Sequence, residues 1–209
     1  MKAHTKETQA LMTPDKSIEA LKEGNKRFQN KSSADRDLLE QVKDTTMGQF
    51  PFATVLSCID SRIPVEMVFD QGIGDLFSVR IAGNFINDDI LGSMEFACKL
   101  AGSKVIVVLG HTSCGAVKGA CDGAELGKLT GMLNKIKPAV NAVVHPTNAA
   151  ERTSANIDFV NEVAAKNVGY SIEGIRSGSE VLAEMERNGE IAIVGAMYDV
   201  ATGKVTFYE

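Results

Sequence analysis

Short, solidly apolar runs alternate along the chain with longer stretches of helical period. "FATVLSC" (52–58), "LFSVRI" (76–81) and "KVIVVLGH" (104–111) are the pattern of strands buried on both faces. "NDDILGSMEFACKLAG" predicts a helix capped by Asn87 or Asp88 and ended near Gly102. Upstream, Thr13-Pro14-Asp15 is a helix-start signal, and Ile18, Leu21, Lys22 and Phe28 suit an amphipathic helix in an N-terminal arm. A second helical piece covers 36–47. After the third strand come helical stretches at 114–122 and at 125–144, the latter ended by Pro146. A longer helical region, continuous or broken, covers about 151–188. "EIAIVGAMYDVATGKVTFY" then gives a strand, a turn at Thr202-Gly203 and a last strand ending at Tyr208.

Apolar strands separated by helices predict an α/β fold with a central, mainly parallel β-sheet flanked by helices. The terminal pair adds an antiparallel edge strand, and the N-terminal helices form an arm. No repeat or internal boundary is visible. The expected organisation is one domain over 1–209, with an arm at 1–48 and an α/β core at 49–209.

Composition narrows the function classes. A chain of 209 residues, 44% of them hydrophobic, can bury one substantial core. A net charge of −5 gives no basis for a nucleic-acid surface, which needs a basic patch. No apolar run approaches the ~20 residues of a membrane helix. The opening "MKAHTKETQALMTPD" is polar and lacks the apolar core of a secretory signal. The expected compartment is the cytoplasm, or the periplasm if a leader was removed from the native chain. The four cysteines form no C-x-x-C, and a chain this long needs no disulfide staples, so they are expected as thiols, buried or bound to metal.

Open parallel sheets bind ligands beyond the C-terminal ends of their strands. Two strands here end in metal-ligand residue types: one at Cys58, the other at "GHTSCG" with His111 and Cys114. A short turn lets His111 and Cys114 converge, and two thiolates with one imidazole suit zinc. For a fourth ligand, Cys98, Cys121, His4 and His145 qualify by type only and read as packing or surface residues. The near neighbour is Asp60. If 58–62 stays extended, a period of two puts Cys58, Asp60 and Arg62 on one face. Asp60 then binds zinc or pairs with Arg62, and in the second case the fourth position opens to water. Zinc lowers the pKa of its water from about 16 to roughly 7, although two thiolates weaken that acidification. Singly, a strand-end Cys is a small buried hydrophobe and Asp-x-Arg a surface ion pair. Both clusters at strand ends of one α/β pattern make those readings poor.

At this point the sequence resembles the β-class carbonic anhydrases. "CIDSR" at 58–62 looks like that family's C-x-D-x-R, and "HTSC" at 111–114 like its H-x-x-C. The likeness runs from about Met12 to Tyr208 through "GNKRF", "GDLFSVRIAGN", "GSMEFA" and "LGHTSCGAV". It implies Zn2+ on Cys58, His111 and Cys114, an Asp60–Arg62 dyad, and reversible hydration of CO2 to bicarbonate and a proton by zinc-bound hydroxide. It also implies a homodimer or homotetramer, with the N-terminal helix embracing a neighbour and the site near the subunit interface. In one site type of the family, water is the fourth ligand and a Gln, a Phe and a Tyr line the CO2 pocket. By motif spacing these fall on Gln49, Phe77 and Phe96, the last keeping the apolar wall but losing a hydroxyl. The other type closes the site with Asp on zinc and binds regulatory bicarbonate beside a Trp and a Gly. Val55 and Ser57 occupy those positions, and the chain has no Trp. The expectation is an open, water-bound site near neutral pH. Action on a CO2 isostere such as carbonyl sulfide or carbon disulfide, and a non-catalytic zinc module, are the alternatives.

Nearby residues read more plainly. Gly72-Ile73-Gly74 is a turn before a strand. Arg80 and Asn84 serve structure, Gly83 and Gly115 permit close backbone approach, and the Gly115 amide is a candidate to help bind an anion. Ser113 is a candidate donor beside the ligands, and Tyr198 and Tyr208 are sheet or interface residues.

Overall fold

The computed structural model describes residues 2–208. Its strands are β1 (Ala53–Ser57), β2 (Leu76–Arg80), β3 (Val105–His111), β4 (Ala192–Tyr198) and β5 (Val205–Phe207). They form one sheet in the order β2-β1-β3-β4-β5. All neighbours pair in parallel except β4 and β5, so the mainly parallel sheet with an antiparallel edge forms as expected. β1 and β3 are buried at every position, because helices cover both faces of the central strands. Ser57 lies opposite Leu109, and this register brings the C-terminal ends of β1 and β3 together.

The helices are α1 (Lys6–Ala10), α2 (Pro14–Gln29), α3 (Leu38–Asp44), α4 (Val65–Val68), α5 (Asp88–Glu95), α6 (Gly115–Cys121), α7 (Gly127–Leu133), α8 (Lys137–Ala142), α9 (Ile157–Gly178) and α10 (Glu180–Arg187). A π-helical turn, Phe96–Leu100, continues α5. Odd positions of the central strands (Val55, Val107, Leu109) pack in one core with Leu21, Phe69 and Ile136. Even positions (Leu56, Ile106, Val108) pack in a second with Met94, Val168 and Leu182. This alternation is the period of two of a pleated strand.

α2 starts as its signal predicts, with the Thr13 hydroxyl accepting from Lys16 N and Pro14 in the first turn. It packs on its own sheet: the Asn25 amide donates to the carbonyls of Val68 and Gly203. Below it, the Asp70 carboxylate accepts from Arg27 Nε at 2.5 Å and Arg36 at 2.6 Å. Burial alone would raise the Asp70 pKa, but the hydrogen bonds from Arg27 and Arg36 win and hold it below its ordinary value.

The structure sharpens three predicted helical stretches. The stretch 125–144 divides into α7 and α8, because Pro138 fits only the first turn of a helix and forces a new start there. The region 151–188 starts its α-helix at the Asn156 cap and breaks at Ser179, whose hydroxyl accepts from Leu182 N and donates to Glu95. The piece 36–47 contracts to α3, capped by Asp37. α9 seats closely on the sheet: an added Cβ on Gly110 or Gly195 would fall 2.6 or 2.8 Å from the Val168 side chain. Among the described residues, no helix is long and apolar enough to cross a membrane.

Candidate metal centre

Cys58 directly follows β1, His111 is the last residue of β3, and Cys114 precedes α6. Their ligand atoms lie within 4.8 Å of one another, all three residues buried. Among the described residues, no other group of three such side chains converges this way. The turn between His111 and Cys114 is tight enough to put Ser113 at φ 55, and the Asn161 side chain on α9 accepts from its N–H at 2.8 Å.

The cluster fits a soft divalent metal. His111 Nδ1 lies 2.9 Å from the Thr112 carbonyl, so Nδ1 carries the proton and Nε2 presents a lone pair. That Nε2 is buried with no hydrogen-bond partner, which is costly unless a cation takes it. The two thiols cannot both ionise unaided. A hydrogen bond from the Cys114 thiol, with further help from His111 and the Gly83 N–H, pulls Cys58 down. The Cys58 thiolate together with burial pushes Cys114 up. A divalent cation between them removes that conflict. Cys98 and Cys121 stand apart from the cluster, their pKa values raised by burial to about 12 and about 11.

Residues 58–62 do not stay extended. Ile63 N donates to the Asp60 carbonyl at 3.1 Å, and Arg62 N donates to Asp60 Oδ1 at 3.0 Å, closing a turn. A short Asp side chain that bonds the backbone two residues on favours this turn over a strand. The turn still pairs the side chains: Arg62 donates from Nε to Oδ1 at 2.9 Å and from a terminal nitrogen to Oδ2 at 2.7 Å. This two-pronged grip, above all others, holds the Asp60 carboxyl well below its usual range. Asp60 Oδ2 is also 4.0 Å from His111 Nε2, so the carboxylate borders the ligand cluster while both oxygens face Arg62.

The pocket candidates lie elsewhere. Phe77 and Phe96 meet edge-on with ring centroids 6.1 Å apart. With Arg80 they line an open groove between β2 and α5. Gln49 is exposed and lies before β1, whereas Cys58 follows it, so a strand length of about 17 Å separates them. Arg80 ties groove to cluster by donating to the carbonyls of Cys58 and Asp60. Gly83 does approach closely, its N–H 3.3 Å from Cys58 Sγ. Gly115 does not: a side chain there would meet nothing within 4 Å. The amides of Ala116 and Val117, at the start of α6, lower the Cys114 pKa against the larger opposing effects of Cys58 and burial. Ser113 contributes its backbone, its carbonyl accepting from Arg62.

The sequence model of the family described as carbonic anhydrase matches residues 53–205. The crystal structure of the β-carbonic anhydrase CafA of Aspergillus fumigatus superposes with a TM-score of 0.73, at 26% identity, covering 92% of this chain and 90% of that one. The chain belongs to the β-carbonic anhydrase family. Within that family it is 37% identical to the carbonic anhydrase of Mycolicibacterium smegmatis, over 89% of both chains. It is 34% identical to carbonic anhydrase 2 of Mycobacterium tuberculosis, over 88% of both. For this β-carbonic anhydrase, the residues that sequence reasoning missed lie on α9. Asn161, Asn167 and Ser171 are polar residues on or beside the stripe Val160, Val163, Ala164, Val168 and Ile175. A polar residue within an apolar helical stripe was the signal.

Proposed function

We propose that this protein catalyses the reversible hydration of CO2 to bicarbonate and a proton, with zinc held by Cys58, His111 and Cys114. The observation that carries the reading is a buried two-thiol, one-imidazole cluster bordered by a carboxylate whose oxygens Arg62 already holds. When bound, zinc supplies the Lewis acidity that makes water a nucleophile toward CO2 near neutral pH. Cys58 and Cys114 hold the metal as thiolates, and the Thr112 carbonyl fixes the His111 tautomer that offers Nε2. Asp60 stays ionised and, held by Arg62 rather than turned into the cluster, would serve as a hydrogen-bond acceptor beside a bound metal.

Gln49, Phe77 and Phe96 are proposed to line the CO2 pocket. Gln49 lies at the wrong end of β1 to do so in its own chain, which supports a homo-oligomer, dimer or tetramer, in which a second copy contributes it. The cytoplasm is the proposed compartment. Stopped-flow CO2 hydration with zinc quantified, on the native protein and Cys58→Ala, tests the reading, and full activity without zinc overturns it. Parallel assays with carbonyl sulfide and carbon disulfide decide whether an isostere is the better substrate.

A further inference from the structure

The loop after β2 reaches the metal cluster through Gly83. Gly83 (φ 80) and Asn84 (φ 39) are consecutive left-handed residues, the shape that glycine and asparagine adopt most readily. An added Cβ on Gly83 would lie 2.4 Å from Ile136 Cδ1, so the loop is pinned against α8's leading residue. In this shape the Gly83 N–H points at Cys58 Sγ, 3.3 Å away. The carbonyls of both residues are turned into the protein, where no strand pairs with them.

α9 supplies their partners. Asn167 Nδ2 donates to the Gly83 carbonyl at 2.8 Å, and Ser171 Oγ donates to the Asn84 carbonyl at 2.9 Å. The two side chains are one helical turn apart, and both are buried. Leucine in place of Asn167 would continue the apolar stripe, so the amide is there for the bond it makes.

We propose that Asn167 is a positioning residue of the metal centre, anchoring Gly83 by its carbonyl so that the Gly83 N–H, on the preceding peptide, bonds the Cys58 sulfur and limits the charge this thiolate donates to the metal. An N–H directed at a thiolate withdraws electron density from sulfur, and groups that orient a ligand tune the metal it binds. Ser171 makes the same kind of bond one residue further from the thiolate, which makes it the internal control for a purely structural role.

The inference rests on the proposed metal site, and cobalt(II) substitution separates the two. A sulfur-to-cobalt charge-transfer band in the otherwise native protein is expected, and its absence would remove the metal reading itself. With that band present, Asn167→Ala should shift it to longer wavelength, because the sulfur becomes more electron-rich. Ser171→Ala should lower the unfolding midpoint comparably and leave the band in place. An unmoved band in Asn167→Ala, or an equal shift in both variants, overturns the proposal. Should Asn167→Ala fail to fold, Asn167→Ser keeps a shorter donor and should shift the band less but in the same direction, and no shift there is equally decisive against it.

Discussion

Cys58, His111 and Cys114 are nearly inaccessible and are held by bonds from their own chain, whereas Phe96 is 50% exposed and Gln49 sits in the open at the far end of β1. The first group is complete when one chain has folded. The second has the right residue types and no shared cavity. The difference separates two tasks: the ligand cluster is fixed by sheet register, while the proposed substrate pocket depends on what covers the edge strand β2. An edge strand flanked by an exposed aromatic ring is a surface that association would bury.

The largest effect should come from inside the cluster. Cys58→Ala is expected to bind no zinc and to lose hydration by at least ~10³-fold, read by stopped flow with metal analysis. Retained activity would mean that chemistry is not confined to the buried group. Asp60→Asn keeps the shape and removes the charge, so zinc should stay while kcat falls by about 10²-fold. Arg62 holds the Asp60 carboxyl below its ordinary pKa, so a pH profile above about 4 should show no Asp60 limb in the native protein. The sign for stability follows: a depressed folded pKa contributes fully above about pH 4 and fades as the pH falls further. Arg62→Ala should remove that contribution.

At the exposed end, Phe96→Arg should leave zinc bound but weaken association and lower specific activity by roughly tenfold, recovering at high protein concentration. Sedimentation and activity measured on the same dilution series check this. A fully active monomer would show that one chain completes the pocket and would erase the contrast. The smallest effect on catalysis should come from Asp70→Asn, far from both groups. Exchanging the carboxylate that Arg27 and Arg36 both grip for a neutral amide should cost about 2 kcal/mol in urea unfolding, with the rate per zinc unchanged.

The strands and the convergence of Cys58, His111 and Cys114 were legible because each rests on local information: uninterrupted apolar runs, and ligand types at their C-terminal ends. The dyad was legible for a different reason than its geometry. Asp60 and Arg62 meet across a turn made by the Asp side chain itself, not by a strand's period of two. Pro138 carried the break between α7 and α8 in plain view, yet the apolar pattern around it ran on. Asn167 and Ser171 were hidden because their partners, 84 and 87 residues away, are backbone carbonyls that leave no trace in composition. Gln49 is the limiting case, since motif spacing assigns it to the pocket while its own chain places it at the other end of β1.

Gly110 and Gly195 give the fold a mutational geography. Both would collide with Val168 if they carried even a methyl group, and Val168 directly follows Asn167 on α9. Alanine at either position would press on the Val168 side chain, next to the amide that reaches the Gly83 loop. Variants that silence the protein should therefore arise on the α9 face of the sheet as well as in the cluster, in residues that touch neither metal nor gas.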